Sequence, residues 1–378
     1  MFVQRASVAA VIIAMATAFS GCSGGGSATP QTSSGAPAMS GAIATATPTP
    51  TPAPAANAAI HSTPYTPSQS TDVQDQHPVA APIAANAAVL LSGARSGNIH
   101  LMPVQPGFGV TSKGLTRTLH GSRSPRTFID NPLDVAYYGG PVLGGTVSHL
   151  IYVSTNYESC GTSCWGNPSQ FLTDLGASNF IHYLDQYIGQ SANNRYTKGT
   201  GATVQMLVIP PNYPTQNPVI SQTDIMVIVL SAAQALGTSL NYQNVYHVLL
   251  PPYTDTCVDL TSICYSPDKA SSFAFCAYHG SLDAGGGVHF VYTVEPYQGV
   301  PGCGFSNVGI NNNTASSLSH EMFETITDPD PYSGWNRPND ASEIGDICRF
   351  YFYNVALNGN NYFLQSEYSN SVHACVNG

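Results

Sequence analysis

Hydrophobic positions along the chain switch between two periods. Residues 146–153 (Thr-Val-Ser-His-Leu-Ile-Tyr-Val), 203–209, 246–250 and 288–294 are short β-branched and aromatic runs, and each predicts a strand. Phe171, Leu172, Leu175, Phe180, Ile181, Leu184 and Ile188 recur at helical spacing and predict one amphipathic helix over 168–188. A second helix is expected over 221–236, with Ser221 or Thr223 as its N-cap. A third is expected over 313–327. It must stop before Pro329, because the residue ahead of a proline avoids the helical region. Residues 351–363 read as a hairpin turning at Asn358-Gly359-Asn360. Strands and helices alternate, so the expected class is α/β or α+β, a three-layer mixed sheet flanked by helices.

The N-terminal third has a different texture. A basic start ending at Arg5, an apolar run over 8–19 and the small-residue end Ser20-Gly21-Cys22 make an export signal, 1–22. The run is shorter than the ~20 residues of a membrane helix. Ser-Gly-Cys is similar to a bacterial lipobox, which would put a lipid anchor on Cys22, with a simple cleaved signal as the rival reading. Residues 23–90 are rich in Pro, Thr and Ala, with too little apolar surface to offset conformational entropy, and read as a disordered, extended linker. Residues 91–133 carry Arg95, His100, Lys113, Arg117, Arg123 and Arg126 and read as a lead-in or a pro-segment. The folded domain is expected over 134–378.

Cysteine usage agrees with export. Nine Cys less Cys22 leave an even set, which in an exported chain reads as disulfides. Proximity favours Cys160–Cys164 and Cys257–Cys264 as small loops, and Cys276–Cys303 and Cys348–Cys375 are the pairs expected of the rest, although eight Cys allow 105 connectivities. A zinc knuckle is the weaker rival, since paired C-x-x-C motifs are absent from the sequence. The formal net charge is −10 with 11 Lys plus Arg, which argues against nucleic acid as a partner.

Charge is scarce, at 8% of residues, yet seven of the 21 acids fall between Glu321 and Asp346. That window holds Ser319-His320-Glu321-Met322-Phe323-Glu324 and Glu343-Ile344-Gly345-Asp346. On a helix His320 and Glu324 share a face, with Glu321 one step round. This is the spacing of H-E-x-x-H metallopeptidases with the second His replaced by Glu. It predicts a divalent cation held by His320, Glu324 and Glu343, with Asp346 as a rival third ligand or an orienter of His320. Zinc is the expected occupant. The carboxylate-rich set also admits calcium or manganese. Glu321 is the expected general base. His279 is a candidate for stabilising an oxyanion, or else a hydrogen-bonded loop histidine. His289 is expected on a strand, and Trp335 as packing under the acidic loop. Serine-hydrolase and phosphate-loop motifs are absent from the sequence.

The order Tyr138-Gly139-Gly140-Pro141, then Cys276-Ala277-Tyr278-His279-Gly280, then Ser319-His320-Glu321, Thr327-Asp328-Pro329, Trp335 and Glu343-Ile344-Gly345-Asp346-Ile347-Cys348 resembles the EXORDIUM, or phosphate-induced-protein, family. The resemblance spans roughly 134–350. It implies a secreted protein and carries over no substrate.

Two readings of function follow. One is an exported, metal-dependent peptidase-like hydrolase with a zincin-like fold. The other is a non-catalytic cell-surface protein with a structural cation and a peptide or surface-polymer partner. Either would touch the membrane only through Cys22. Oligomeric state is not legible.

Overall fold

The computed structural model describes residues 79–82, 95–110, 131–155, 162–188, 197–201, 203–208, 219–259, 262–285 and 288–377. The signal with Cys22, most of the expected linker, and Cys160 lie outside these residues.

The main sheet has eight strands: β1 (Val79–Pro82), β2 (Arg95–Pro103), β3 (Gly145–Thr155), β4 (Thr197–Thr200), β5 (Val204–Val208), β6 (Asn244–Leu249), β7 (Phe275–Gly285) and β8 (Val288–Glu295). Their order is β1-β5-β3-β6-β8-β7-β2, with β4 also on β3. Pairing is parallel from β1 to β8 and antiparallel for β8–β7 and β7–β2. The mixed sheet expected from the pattern is therefore present. Its central strands β3, β6 and β8 place apolar side chains in the clusters on both faces, as strands covered on both sides do.

Successive residues of β3 feed opposite layers. Leu150 and Tyr152 pack with Phe171, Leu175, Leu318, Met322 and Phe323, whereas Ile151 and Val153 pack with Ile225, Ile228 and Val229. Helices α1 (Pro168–Ala177) and α3 (Gly309–Thr327) thus cover one face, and α2 (Gln222–Leu236) the other. Ser221 caps α2 through a reciprocal capping box with Asp224. Beyond α3 lies the hairpin β9 (Phe352–Leu357) and β10 (Asn360–Gln365), which sandwiches α3 against the sheet. Residues 312 to 327 of α3 are all buried, although eleven of these sixteen are polar.

Three expectations change. The helix over 168–188 breaks after Ala177, where Ser178 turns extended and its Oγ bonds back to the Leu175 carbonyl. A short 3-10 turn and the one-turn helix Asp185–Ile188 complete it. Residues 95–103, read as a lead-in or pro-segment, form an edge strand of the main sheet, so the folded body begins well before Asp134. Val79–Pro82, inside the expected linker, pairs with β5. In both stretches backbone pairing to a sheet edge supplies what side-chain composition does not.

Disulfides join Cys257–Cys264, as proximity suggested, and Cys276–Cys303 and Cys348–Cys375, as expected. They fit an extracellular or otherwise oxidising environment. Among the described residues no helix is long and apolar enough to cross a membrane.

Candidate metal centre

Three separate parts of the chain deliver the site. α3 brings His320, Glu321 and Glu324 to one side through its i, i+1, i+4 spacing. The helix ends at Asp328, whose carboxylate accepts the backbone N–H groups of Tyr332, Ser333 and Gly334 and the Asn336 amide, so it anchors the following loop. The one-turn helix Ile344–Ile347 supplies Glu343 at its start and Asp346 within it. Cys348–Cys375 ties its end to the strand Ala374–Val376. The third part is the β2–β7 pair, where His100 and His279 are cross-strand partners on the face toward α3. Their ring centroids lie 5.6 Å apart.

Ligand atoms from His100, His279, Glu324 and Glu343 lie within 4.8 Å of one another, and all four residues are buried. Glu324 Oε2 sits in the middle, 3.3 Å from His100 Nδ1, 3.8 Å from His279 Nδ1 and 3.3 Å from His320 Nε2. Glu324 Oε1 accepts the Asp346 N–H at 3.0 Å. His100 Nδ1 is 3.6 Å from Glu343 Oε1, and His279 Nε2 is 3.7 Å from Glu343 Oε2.

Hydrogen-bond partners assign the remaining ring nitrogens. His279 Nδ1 donates to Glu321 Oε2 at 3.1 Å, leaving Nε2 with no hydrogen-bond partner among the described residues. His100 Nε2 faces Asp346 Oδ2 at 3.3 Å, leaving Nδ1 toward the centre. A ligating imidazole whose second nitrogen is held by a carboxylate is the usual supporting arrangement at metal sites. His320 differs. Gln365 Nε2 donates to the Gly345 carbonyl, which can only accept, and the same nitrogen lies 2.9 Å from His320 Nδ1. His320 Nδ1 therefore accepts, and its hydrogen lies on Nε2, toward Glu324. Gly345 is required here, since a Cβ would come within 2.4 Å of His320 Nδ1.

The electrostatics are unbalanced without a cation. Burial, then the neighbouring carboxylates, push Glu343 and Glu321 well above the ordinary range. Burial also raises Glu295, hydrogen-bonded to Ser317, to about 7. Burial opposes the charge on Glu324, but His320 and His100 overcome it and hold its pKa well below normal. Burial likewise works against protonated His100, and Asp346 and Glu324 reverse it, to about 9. His279 is lowered by burial to about 3 and stays neutral, as a ligand must. Among the described residues both Glu343 oxygens and His279 Nε2 have no hydrogen-bond partner. Buried groups of this kind are costly unless paired or coordinating, and a cation among these atoms would satisfy all three at once.

The sequence reading placed Glu321, His279, His320, Glu324, Glu343 and Asp346 together, and they do converge. A second, smaller group of His320, Glu324 and Asp346 shares Glu324 with the first. His279 lies on a strand, not a loop, and joins the ligand group. His289 on β8 bonds Asp330 at 2.9 Å, and Trp335 packs against Tyr187 and donates to its carbonyl. The residue that sequence reasoning missed is His100. Its only signal was a histidine in the apolar-flanked stretch Asn98-Ile99-His100-Leu101-Met102.

Comparison of the chain with family models, with curated proteins and with solved structures finds no match.

Proposed function

We propose that this chain is an exported, metal-dependent peptidase-like hydrolase whose cation is held by His100, His279, Glu324 and Glu343. The observation that carries the reading is the convergence of two imidazole nitrogens and two carboxylates in one buried group, each imidazole backed by a further carboxylate. Two nitrogen ligands favour zinc over calcium, which takes oxygen ligands almost throughout. His320 serves as a positioning residue that directs Glu324, because its lone pair is engaged by Gln365. A divalent cation bound here supplies a Lewis acid that acidifies water and polarises a carbonyl. Glu321 orients His279 through Oε2, while its Oε1, without a partner among the described residues, is the site's acceptor for a proton taken from water and returned to a leaving nitrogen. The resemblance to the EXORDIUM family rests on the ordered motifs alone and adds no substrate.

A second reading keeps the cation and drops the chemistry. It is favoured by the closure of the group: four protein ligands, all with buried side chains, match a structural site. Glu321→Gln separates the two. A hydrolase keeps its metal and loses hydrolysis of a mixed peptide library. A structural site keeps its metal, with no hydrolysis to lose in either form.

A further inference from the structure

The ligand from β2 stands apart from the other three. His279, Glu324 and Glu343 come from the body of the domain, on β7, α3 and the loop stapled by Cys348–Cys375. His100 comes from a strand at the edge of the sheet, paired among the described residues with a neighbour on one side only. β2 runs antiparallel to β7, with Leu101 opposite Tyr278, His100 opposite His279 and Ile99 opposite Gly280. Its other flank meets the loop after α3, where Asn98 Nδ2 donates to the Pro331 carbonyl and Tyr332 Oη donates to the Ile99 carbonyl. β2 therefore lies in a channel between the edge of β7 and the Pro331–Tyr332 loop. Gly280 makes the close approach possible, since a Cβ there would meet Ile99 Cγ2 at 2.9 Å and the Asn98 carbonyl at 3.2 Å.

We propose that this channel is a binding groove for an extended polypeptide, and that β2 is an intrachain occupant of it. Adding an extended segment to a sheet edge is a general mode of peptide recognition: backbone hydrogen bonds give affinity and alternate side chains enter pockets. His100 then fills the coordination position that a peptide carbonyl or water would otherwise take. Three protein ligands with a fourth position open is the catalytic arrangement, and four protein ligands is the closed one. With β2 in place the site turns over at a residual rate only. With β2 displaced, His279, Glu324 and Glu343 remain, and the edge of β7 is free for substrate. Peptide hydrolysis then needs water alone, which adds OH to the carbonyl carbon and H to the leaving nitrogen.

This inference rests on the hydrolase reading, and the test distinguishes their failures. Full-length wild type, His100→Ala and His279→Ala are loaded with Zn²⁺ or Co²⁺ and assayed for bound metal, for the visible spectrum of Co²⁺ and for hydrolysis of unfolded casein. His100→Ala is expected to keep close to one metal per chain, to show a Co²⁺ spectrum that shifts when casein is added, and to hydrolyse casein at least tenfold faster than wild type. His279→Ala is expected to lose the metal. If His100→Ala loses metal as fully as His279→Ala, or wild type already cleaves casein as fast, β2 is a permanent part of the site and the inference is overturned. If His100→Ala keeps its metal and its spectrum responds to casein without cleavage, the groove stands and the hydrolase reading fails. Should His100→Ala not fold, His100→Gln, of similar bulk, is read by the same three measurements.

Discussion

His100 and His279 face each other across the β2–β7 pair, and each gives one ring nitrogen to a carboxylate outside the ligand group, His100 to Asp346 and His279 to Glu321. That arrangement leaves His100 Nδ1 and His279 Nε2 pointing at Glu324 and Glu343. Asp346 and Glu321, both read from sequence as ligand or base candidates, therefore act first by aiming imidazoles.

Asp346→Asn tests this division of labour. Loss of a carboxylate behind a ligating imidazole typically weakens metal binding by about 10–100-fold, and that is the expected change in a chelator-competition titration. Asp340→Asn is the control, since Asp340 pairs with Arg337 at the surface. Equal affinities for the two variants would remove Asp346 from the site.

Gly345→Ala forces a Cβ toward His320 Nδ1 and Glu324 Oε1, which lie 2.4 and 2.9 Å from where it would sit. Both are held by hydrogen bonds, from Gln365 Nε2 and the Asp346 N–H, so neither yields cheaply. Overpacking of this kind costs about 1–3 kcal/mol. Denaturant unfolding is expected to give that loss, together with weaker metal binding. Ala at Gly144, whose Cβ would meet no atom within 4 Å, should cost far less.

Glu321→Gln separates metal holding from proton transfer. The amide oxygen still accepts from His279 Nδ1, so bound metal should be retained. Loss of a general base costs about 10²–10⁴-fold in rate, and hydrolysis by His100→Ala,Glu321→Gln should fall by that factor relative to His100→Ala. Unchanged hydrolysis in the double variant removes Glu321 from the chemistry.

The metal-free chain should lose stability as pH rises from about 6.5 to 9. His100, raised to about 9 as Asp346 and Glu324 outweigh burial, and Glu295, raised by burial to about 7, both bind more protons folded than unfolded. Glu321 and Glu343, raised by burial, have the same sign. Such groups add stability that is complete below the unfolded pKa and is lost as pH climbs through the folded one. His279, lowered by burial to about 3, has the opposite sign, but acts only below about 6.5. Thermal melts should therefore fall by several degrees across this range without metal and stay flat or rise with it. A metal-free melt that rises with pH contradicts the unbalanced buried carboxylates.

Much of this molecule was legible because period and chemistry coincide. The strands β3, β6 and β8 are β-branched runs, and Ser221 with Asp224 spells out the start of α2. The acid-rich window stood out against a charge-poor chain and led to Glu324, Glu343 and Asp346. β7 was hidden because both its faces are buried, so Cys276, His279, Gly280 and Ser281 interrupt any apolar alternation. His100 was hidden for a different reason: a ligand contributed by cross-strand pairing has no fixed spacing from its partners. The H-E-x-x-E spacing also assigned His320 a ligand's role, whereas the contact with Gln365, far along the chain on β10, engages its lone pair.

The sharpest check on a buried cation site is the metal content of the purified full-length chain, read together with the melting temperature before and after chelation. Close to one divalent cation per chain is expected, abolished by His279→Ala and by Glu343→Ala. A melt lowered by about 10 °C on chelation is also expected, as follows from about 4 kcal/mol of linkage at a thousandfold excess over Kd. A chain that carries no cation, and whose melt is unmoved by added zinc, manganese or calcium, would contradict such a site.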